Sequence, residues 1–217
     1  MLKNKVPPRK EFFAEVRRQI SDERCITAIE VAYNIAKEAH RQQRREDGER
    51  YFDHVKAVAW ILLTETNITD QLRLTIMLCA ALLHDIIEDT FVAKRKHLKF
   101  MFDQLSPDIT SVAWEVTKVR TSDKNKKFKK LLASNRAATK LVKLGDRLHN
   151  QRTLLACSRK KIRRKNRETR EIIISWAQSN LHLVDETSRQ EILSLAEKVE
   201  LQTTENEQWL LMPRKKK

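Results

Sequence analysis

The chain has 217 residues and a formal net charge of +15, with 44 Lys and Arg against 29 Asp and Glu. It contains only 2 Gly and 4 Pro, the residues that turns between strands need most, so the composition excludes a β-rich fold. We expect an all-α fold in a single domain. Three Cys without motif spacing predict reduced thiols in a cytoplasmic protein, and we expect neither a signal peptide nor a membrane span.

The positive charge is concentrated in the middle of the chain. Residues 91–170 hold 24 Lys and Arg against 6 Asp and Glu, whereas the remaining residues are slightly acidic. A field of this kind attracts polyanions. The charge pattern therefore indicates a nucleic acid, a phosphorylated small molecule or an acidic protein as the partner.

The N-terminal part of the chain predicts one long helix after a loose start. Residues 1–20 are predicted to be a basic extension that contains a short helix. Ser21 is a plausible N-cap for a helix that runs to about Arg44, before the turn at Gly48. His40, near the end of that helix, is predicted to pack or cap its last turn rather than to bind a ligand.

Local signals mark the start of three further helices. His54 lies at the start of the second long helix, whose apolar residues recur at helical spacing. Asp70, or the Thr before it, can cap the third helix. The dipeptide Ser106-Pro107 is a strong start signal for another one, because Pro is favoured at the first helical position.

Residues 139–157 combine an apolar stripe with a polar one. Asp146, Asn150 and Thr153 are spaced so that they share one helix face. Gly145, in the middle of this helix, predicts a close approach of a neighbouring helix, because Gly there costs about 1 kcal/mol relative to Ala. The apolar stripe is formed by Leu141, Leu144, Leu148 and Leu155.

The limits of the domain follow from these elements. After a dense basic run, two amphipathic helices close the chain. We therefore predict one domain over residues 21–205. Residues 206–217 are predicted to be a basic, disordered tail.

The stretch 80–90, Ala-Ala-Leu-Leu-His-Asp-Ile-Ile-Glu-Asp-Thr, places four titratable residues in an apolar run. On a helix, His84 would lie beside Glu88 and Asp85 beside Asp89. Ionised groups buried without partners would cost several kcal/mol each. A bound cation is therefore the simplest way to keep them charged.

Two imidazoles and two carboxylates from three helices suit a six-coordinate divalent ion such as manganese. Metal-bound water has a lowered pKa and becomes a nucleophile near neutral pH. Glu88 and Asp89 are then placed to orient that water or take its proton, which suits hydrolysis of a phosphoester or phosphoanhydride. The predicted ligands are His54, His84, Asp85 and Asp146.

Three long motifs give a resemblance to a known family. The pattern of the predicted ligands resembles that of the HD superfamily of metal-dependent phosphohydrolases. Residues 40–45, 80–90 and 140–154, in this order, resemble the hydrolase domain of RelA/SpoT homologues. The similarity covers roughly residues 24–185, and the length matches a stand-alone small alarmone hydrolase. The resemblance implies an HD-domain helical bundle.

The resemblance also implies an activity and roles for residues. Such enzymes use manganese to remove the 3′-pyrophosphate of ppGpp and pppGpp, and they return GDP or GTP and pyrophosphate. By position, Glu88 and Asp89 are the implied catalytic acids, and His40 is not a ligand. Arg45 matches the Arg that packs on guanine, and Asn150 and Thr153 match residues that line the nucleotide pocket. The implied metal ligands are His54, His84, Asp85 and Asp146.

Departures from the family pattern keep one other function open, and the basic segment 91–170 keeps open a second. Glu46 stands where the small hydrolases have a basic residue, Val55 replaces a Pro, and Gly145 replaces an Ala. One alternative is therefore an HD phosphohydrolase of another nucleotide, such as ppApp or NADPH. The other is a basic protein that binds nucleic acid or a partner and has a structural metal site. Phosphate-mediated binding would weaken steeply with salt.

Overall fold

The structure, a computed structural model, describes residues 6–46, 48–86, 105–117 and 128–213. Within these ranges there is no β-strand. The only β-type pairing there is an isolated antiparallel bridge between Arg44 and Arg50. The predicted all-α fold is confirmed. The described α-helices are α1 (Arg9–Gln19), α2 (Glu23–Ala39), α3 (Tyr51–Glu65), α4 (Gln71–Leu83), α5 (Pro107–Val116), α6 (Lys129–Ala133), α7 (Ala137–Arg152), α8 (Arg159–Glu168), α9 (Ser175–Gln178) and α10 (Glu186–Leu211).

Capping side chains explain where several helices begin. Asp70 accepts a hydrogen bond from the backbone N–H of Arg73 at 3.0 Å, and Ser106 caps α5 with Pro in the first turn. Both predicted starts are confirmed. The prediction of Ser21 as a cap is wrong: Asp22 caps α2, while the Ser21 N–H donates to Gln71 Oε1 at 2.9 Å.

Helix α2 is shorter than predicted because its end is fixed by a tertiary contact. It ends at Ala39 with His40 as its C-cap, not near Arg44. The His40 ring is stacked on Tyr51, with centroids 4.8 Å apart. His40 therefore packs, as predicted. The chain then turns back through Gly48, whose φ of 88° is in the left-handed region that favours glycine.

Helix α7 lies at the centre of the fold and packs against α3, α4 and α10. Of its predicted apolar stripe, Leu141, Leu144 and Leu148 are buried, but Leu155 is 39% exposed because the helix has already ended at Arg152. The close approach predicted at Gly145 is present. A β-carbon there would lie 3.3 Å from Leu62 Cδ2 of α3.

Two helices continue beyond the predicted domain limits, and one of them adds residues to the core. Phe12 and Phe13 of α1, inside the predicted basic extension, are buried in the same core as the other helices. Helix α10 continues to Leu211, so the first part of the segment 206–217 is helical. The limits of the domain, 21–205, stay a prediction.

The composition predicted reduced cysteine thiols and no membrane-spanning segment. All three Cys are free, as predicted. Among the described residues, no helix combines the length and the apolar character needed to cross a bilayer.

Candidate active site

The structure brings the four predicted metal ligands together at one buried point. His54 comes from the first turn of α3, His84 and Asp85 from the turn after α4, and Asp146 from α7. Donor atoms of His54, His84 and Asp146 all lie within 4.8 Å of one another. Asp85 Oδ2 lies 3.5 Å from His54 Nε2 and 3.2 Å from His84 Nε2. Each of these side chains is less than a tenth exposed.

The orientation of the His84 ring leaves one nitrogen for a ligand. Its Nδ1 donates to the carbonyl oxygen of Ala81 at 2.7 Å, so Nε2 is the nitrogen that faces the cluster. That atom is buried and forms no hydrogen bond within the described part of the chain. Burial lowers the pKa of His84, but the carboxylates of Asp85 and Asp146 outweigh burial and raise it to about 10. The site therefore favours a positive charge at this position.

His149 fixes the orientation of the other ring. Its Nδ1 lies 2.8 Å from His54 Nδ1 and 3.3 Å from Arg45 Nη1. Because a guanidinium only donates, His149 Nδ1 is an acceptor, and His54 Nδ1 must carry the proton. Burial is the main reason why the pKa of His149 lies well below its usual value, and the nearby His54 and Arg45 lower it further. The lone pair of His54 Nε2 is thus directed at the cluster.

Both carboxylates are held by donors that leave oxygen atoms facing the imidazoles. Lys143 Nζ donates to Asp146 Oδ2 at 2.7 Å, and Asn150 donates to Asp146 Oδ1 at 2.5 Å. Burial raises the pKa of Asp146, but Lys143 and the two His side chains hold it well below the usual range. Tyr51 donates to Asp85 Oδ2 at 2.8 Å. Partners of this kind orient ligands around metals in proteins.

This donor set fits one divalent cation. Ligand atoms about 2.0–2.2 Å from a common ion lie about 3–3.6 Å apart when they are adjacent. Three of the four nitrogen-to-carboxylate separations lie between 3.2 and 3.5 Å, and the fourth is 3.8 Å. Mixed imidazole and carboxylate ligands are typical of sites for divalent transition metals. The cluster can therefore hold a divalent metal.

A cavity of about 300 Å³ opens over the cluster. The three residues predicted to bind substrate line it: Arg45, Asn150 and Thr153. The Arg45 guanidinium donates to Asn150 Oδ1 at 2.8 Å, so its plane is fixed at the cavity wall. The cavity also has a cationic side, formed by Arg44, Arg147, Lys161 and Lys165.

Glu46, the departure noted in the sequence, also lines this cavity. Its carboxylate lies 2.6 Å from Lys161 Nζ. The hydrogen bond from Lys161 lowers the pKa of Glu46. The acid therefore neutralises one of the cations that would otherwise face an anionic substrate.

Two predicted catalytic residues lie in a part of the chain that the structure does not describe. Three residues that hold the cluster in place were not predicted from the sequence. Glu88 and Asp89 lie outside the described residues, so their catalytic roles stay a prediction. Lys143, Tyr51 and His149 hold the ligands but were missed. Lys143 could have been found from its spacing, since a residue three positions before Asp146 lies on the same helix face. The other two are distant in sequence from the groups they contact.

Comparisons with known proteins agree with this geometry. The HD domain family matches residues 32–178. The chain is 40% identical over 134 residues to the guanosine-3′,5′-bis(diphosphate) 3′-pyrophosphohydrolase MESH1 of Xenopus tropicalis, which covers 58% of this chain and 69% of that protein. It is 35% identical over 153 residues to the bifunctional (p)ppGpp synthase/hydrolase SpoT of Escherichia coli, which covers 68% of this chain but only 21% of SpoT.

A solved structure is similar over most of its length. It is that of a metazoan ortholog of SpoT that hydrolyzes ppGpp, and it aligns with a TM-score of 0.54 and 25% sequence identity. The alignment covers 84% of this chain and 94% of the other. Taken together with the four-residue cluster, these matches show that the chain belongs to the HD domain family, in the group that contains the MESH1 proteins.

Proposed function

We propose that this chain is a metal-dependent hydrolase that removes the 3′-pyrophosphate of ppGpp and pppGpp, with manganese as its metal. The observation that carries the proposal is the buried cluster of two imidazoles and two carboxylates at the base of a cavity with a cationic side. The relatives named as (p)ppGpp 3′-pyrophosphohydrolases support the same activity. The metal ligands in this proposal are His54, His84, Asp85 and Asp146.

The residues of the cavity wall have complementary roles in binding. Arg147 and Lys165 share one carboxylate, that of Glu168, at 2.9 and 3.0 Å, so this group keeps a net positive charge for a substrate with four or five phosphates. Arg45, held by Asn150, offers a planar guanidinium on which a nucleobase can stack. Thr153 is at the C-terminal end of α7, where it closes the same wall. These contacts would orient the substrate with its 3′ side towards the cluster.

The proposed reaction is hydrolysis of the bond between the ribose O3′ and phosphorus. A water oxygen attacks the phosphorus joined to the ribose O3′, the P–O3′ bond breaks, and O3′ takes a proton. The products are pyrophosphate and GDP or GTP. A bound divalent cation polarises the phosphoryl group and lowers the pKa of water. Glu88 and Asp89 are proposed to take the proton from the attacking water.

Pyrophosphate release from ppGpp tests this proposal, measured with manganese, with magnesium and with a chelator. We expect release that depends on the divalent metal, is fastest with manganese and is abolished by Asp85→Ala. Asp108→Ala is the matched control, since this Asp on α5 is exposed and far from the cluster in the sequence. A folded protein that binds metal but releases no pyrophosphate from ppGpp would contradict the proposal.

A second candidate is hydrolysis of a different nucleotide, and the Glu46–Lys161 ion pair is the observation that favours it. The carboxylate stands where the small hydrolases have a positive charge near the base and ribose, which would change the preference for the base. The same assay with ppApp, and phosphate release from NADPH, separates the candidates. Faster turnover of either than of ppGpp, reversed by Glu46→Lys, would support this second function.

A further inference from the structure

Helix α8 has two faces with different surroundings. Lys161 and Lys165, four residues apart, line the cavity of the candidate active site. The opposite face contributes to a second cavity of about 250 Å³, which lies between α8, the π-helical turn Thr169–Ile174 and α10. None of the residues that line this second cavity lines the first. It is therefore a separate place in the molecule, and the proposed hydrolysis does not use it.

An unsatisfied amide lies in the wall of the second cavity. Asn166 is only 1% exposed. Neither its Nδ2 nor its Oδ1 has a hydrogen-bond partner among the residues that the structure describes. A buried polar side chain without partners is costly and rare in folded proteins, so its presence calls for an explanation. A ligand that offers both an acceptor and a donor would supply one.

The charges around Asn166 indicate the sign of that ligand. Arg163 and Arg167 line the cavity and are exposed, and neither forms an ion pair with any residue in the described ranges. Arg170 is neutralised by Glu207, at 3.0 Å, and by Glu200. Two acids line the cavity, and one of them, Glu207, pairs with Arg170. The other acid, Glu171, opposes the two guanidinium groups of Arg163 and Arg167. The cavity therefore favours an anion.

We propose that this second cavity is a binding site for a protonated phosphate group. Arginine side chains bind phosphate oxygens through pairs of parallel hydrogen bonds. A phosphate oxygen accepts from Asn166 Nδ2, while the P–OH group donates to Oδ1. Inorganic phosphate carries such a hydroxyl near neutral pH, whereas sulfate has none. The group can come from free phosphate or from the terminal phosphate of a nucleotide.

The first test compares phosphate with sulfate at equal ionic strength, by calorimetry and by the shift in melting temperature of the full chain. Phosphate should bind saturably and raise the melting temperature, and sulfate should bind at least tenfold more weakly. Titration with GDP, in the wild type and in Arg163→Gln with Arg167→Gln, distinguishes a nucleotide phosphate from the free anion, because only a nucleotide bound at the second cavity loses affinity in this variant. Equal effects of phosphate and sulfate would overturn the proposal, because they would show only general screening of charge.

Matched variants locate the binding. Arg163→Gln with Arg167→Gln should lower phosphate affinity at least tenfold. Lys160→Gln with Arg164→Gln removes the same charge from exposed positions of α8 that do not line the cavity and should leave the affinity within twofold. Loss of binding in the second pair, or in Lys161→Gln of the candidate active site, would place the anion elsewhere and overturn the proposal.

Asn166→Leu separates a ligand-binding role from a structural one. Because the amide has no partner in the described part of the chain, an apolar side chain of similar volume should leave the melting temperature without phosphate unchanged or higher. The shift caused by phosphate should be lost. A lower melting temperature together with a retained phosphate shift would show that Asn166 serves the fold alone. Glu171→Gln, which removes the opposing charge, should strengthen binding.

Discussion

Helix α7 has two regions, around Lys140 and around Lys143, that use a buried lysine for different purposes. Lys140 and Lys143 lie one turn apart, and both are almost completely buried. Lys140 Nζ donates to backbone carbonyls near the end of α9, including those of Trp176 and Ser179 at 2.9 and 2.7 Å. Lys143 Nζ donates to the carboxylate of Asp146. The first lysine therefore holds the fold together, and the second holds a metal ligand in its charged form.

The largest effect should come from Lys143→Met, which leaves Asp146 buried without its ammonium partner. Breaking a buried ion pair costs about 3–5 kcal/mol. We expect the free energy of unfolding to fall by that amount in the presence of a chelator. Excess manganese should restore much of it, because a divalent cation replaces the lost positive charge. Urea unfolding with and without the metal measures both quantities.

The matched variant Lys140→Met should behave differently. It removes the ammonium donor from several carbonyl groups, at a cost of about 1–3 kcal/mol, although the Trp176 carbonyl still accepts from the Ser179 N–H at 3.0 Å. Manganese should not recover this loss, since these carbonyls do not belong to the cluster. Activity of the folded protein should be retained. If manganese rescued both variants equally, the assignment of a structural role to Lys140 and a ligand-holding role to Lys143 would be wrong.

A smaller effect is expected from Tyr51→Phe, which removes the hydrogen bond to Asp85. Loss of a group that orients a ligand typically lowers metal affinity about 10–100-fold. Stability without metal should fall by only about 0.5–1.5 kcal/mol, the usual net value of one hydrogen bond. Competition with a fluorescent chelator measures the affinity. An unchanged affinity would mean that Tyr51 serves only the packing of His40.

Gly145→Ala, two residues after Lys143 on the same helix, should have the smallest effect. Ala is favoured over Gly in a helix by about 1 kcal/mol, but its β-carbon would meet Leu62 Cδ2 at 3.3 Å. The two contributions oppose each other. We expect the free energy of unfolding to change by less than about 1 kcal/mol, measured by thermal unfolding beside the wild type. A larger loss would show that Leu62 cannot move.

The sequence predicted those parts of the fold that depend on local signals. Asp70 and Ser106 cap their helices through contacts within a few residues, and the spacing of Leu141 and Leu144 was enough to orient α7. The end of α2 was mispredicted because it depends on the stacking of His40 on a ring from another helix. Nothing in the residues around Ala39 encodes that contact.

The same distinction applies to the candidate site. His84 and Asp85 stand out as polar residues in an apolar run, so the sequence alone pointed to them. His149 resembles many other helical His residues until the fold brings it to His54, 95 positions away in the chain. Its role as a hydrogen-bond acceptor follows only from the simultaneous contact with Arg45. Roles of this kind depend on three-dimensional proximity and leave no pattern in the sequence.

The contact at Gly145 determines how far apart two of the metal ligands lie. Gly145 directly precedes Asp146, and the Leu62 side chain that it meets is two turns beyond His54 on α3. The spacing between His54 and Asp146 is thus set by helix packing and does not depend on a bound ion. Many small metal domains unfold when the ion is removed. Here the packing of α3 against α7 positions both side chains, so we expect the helices to stay folded when a chelator is added.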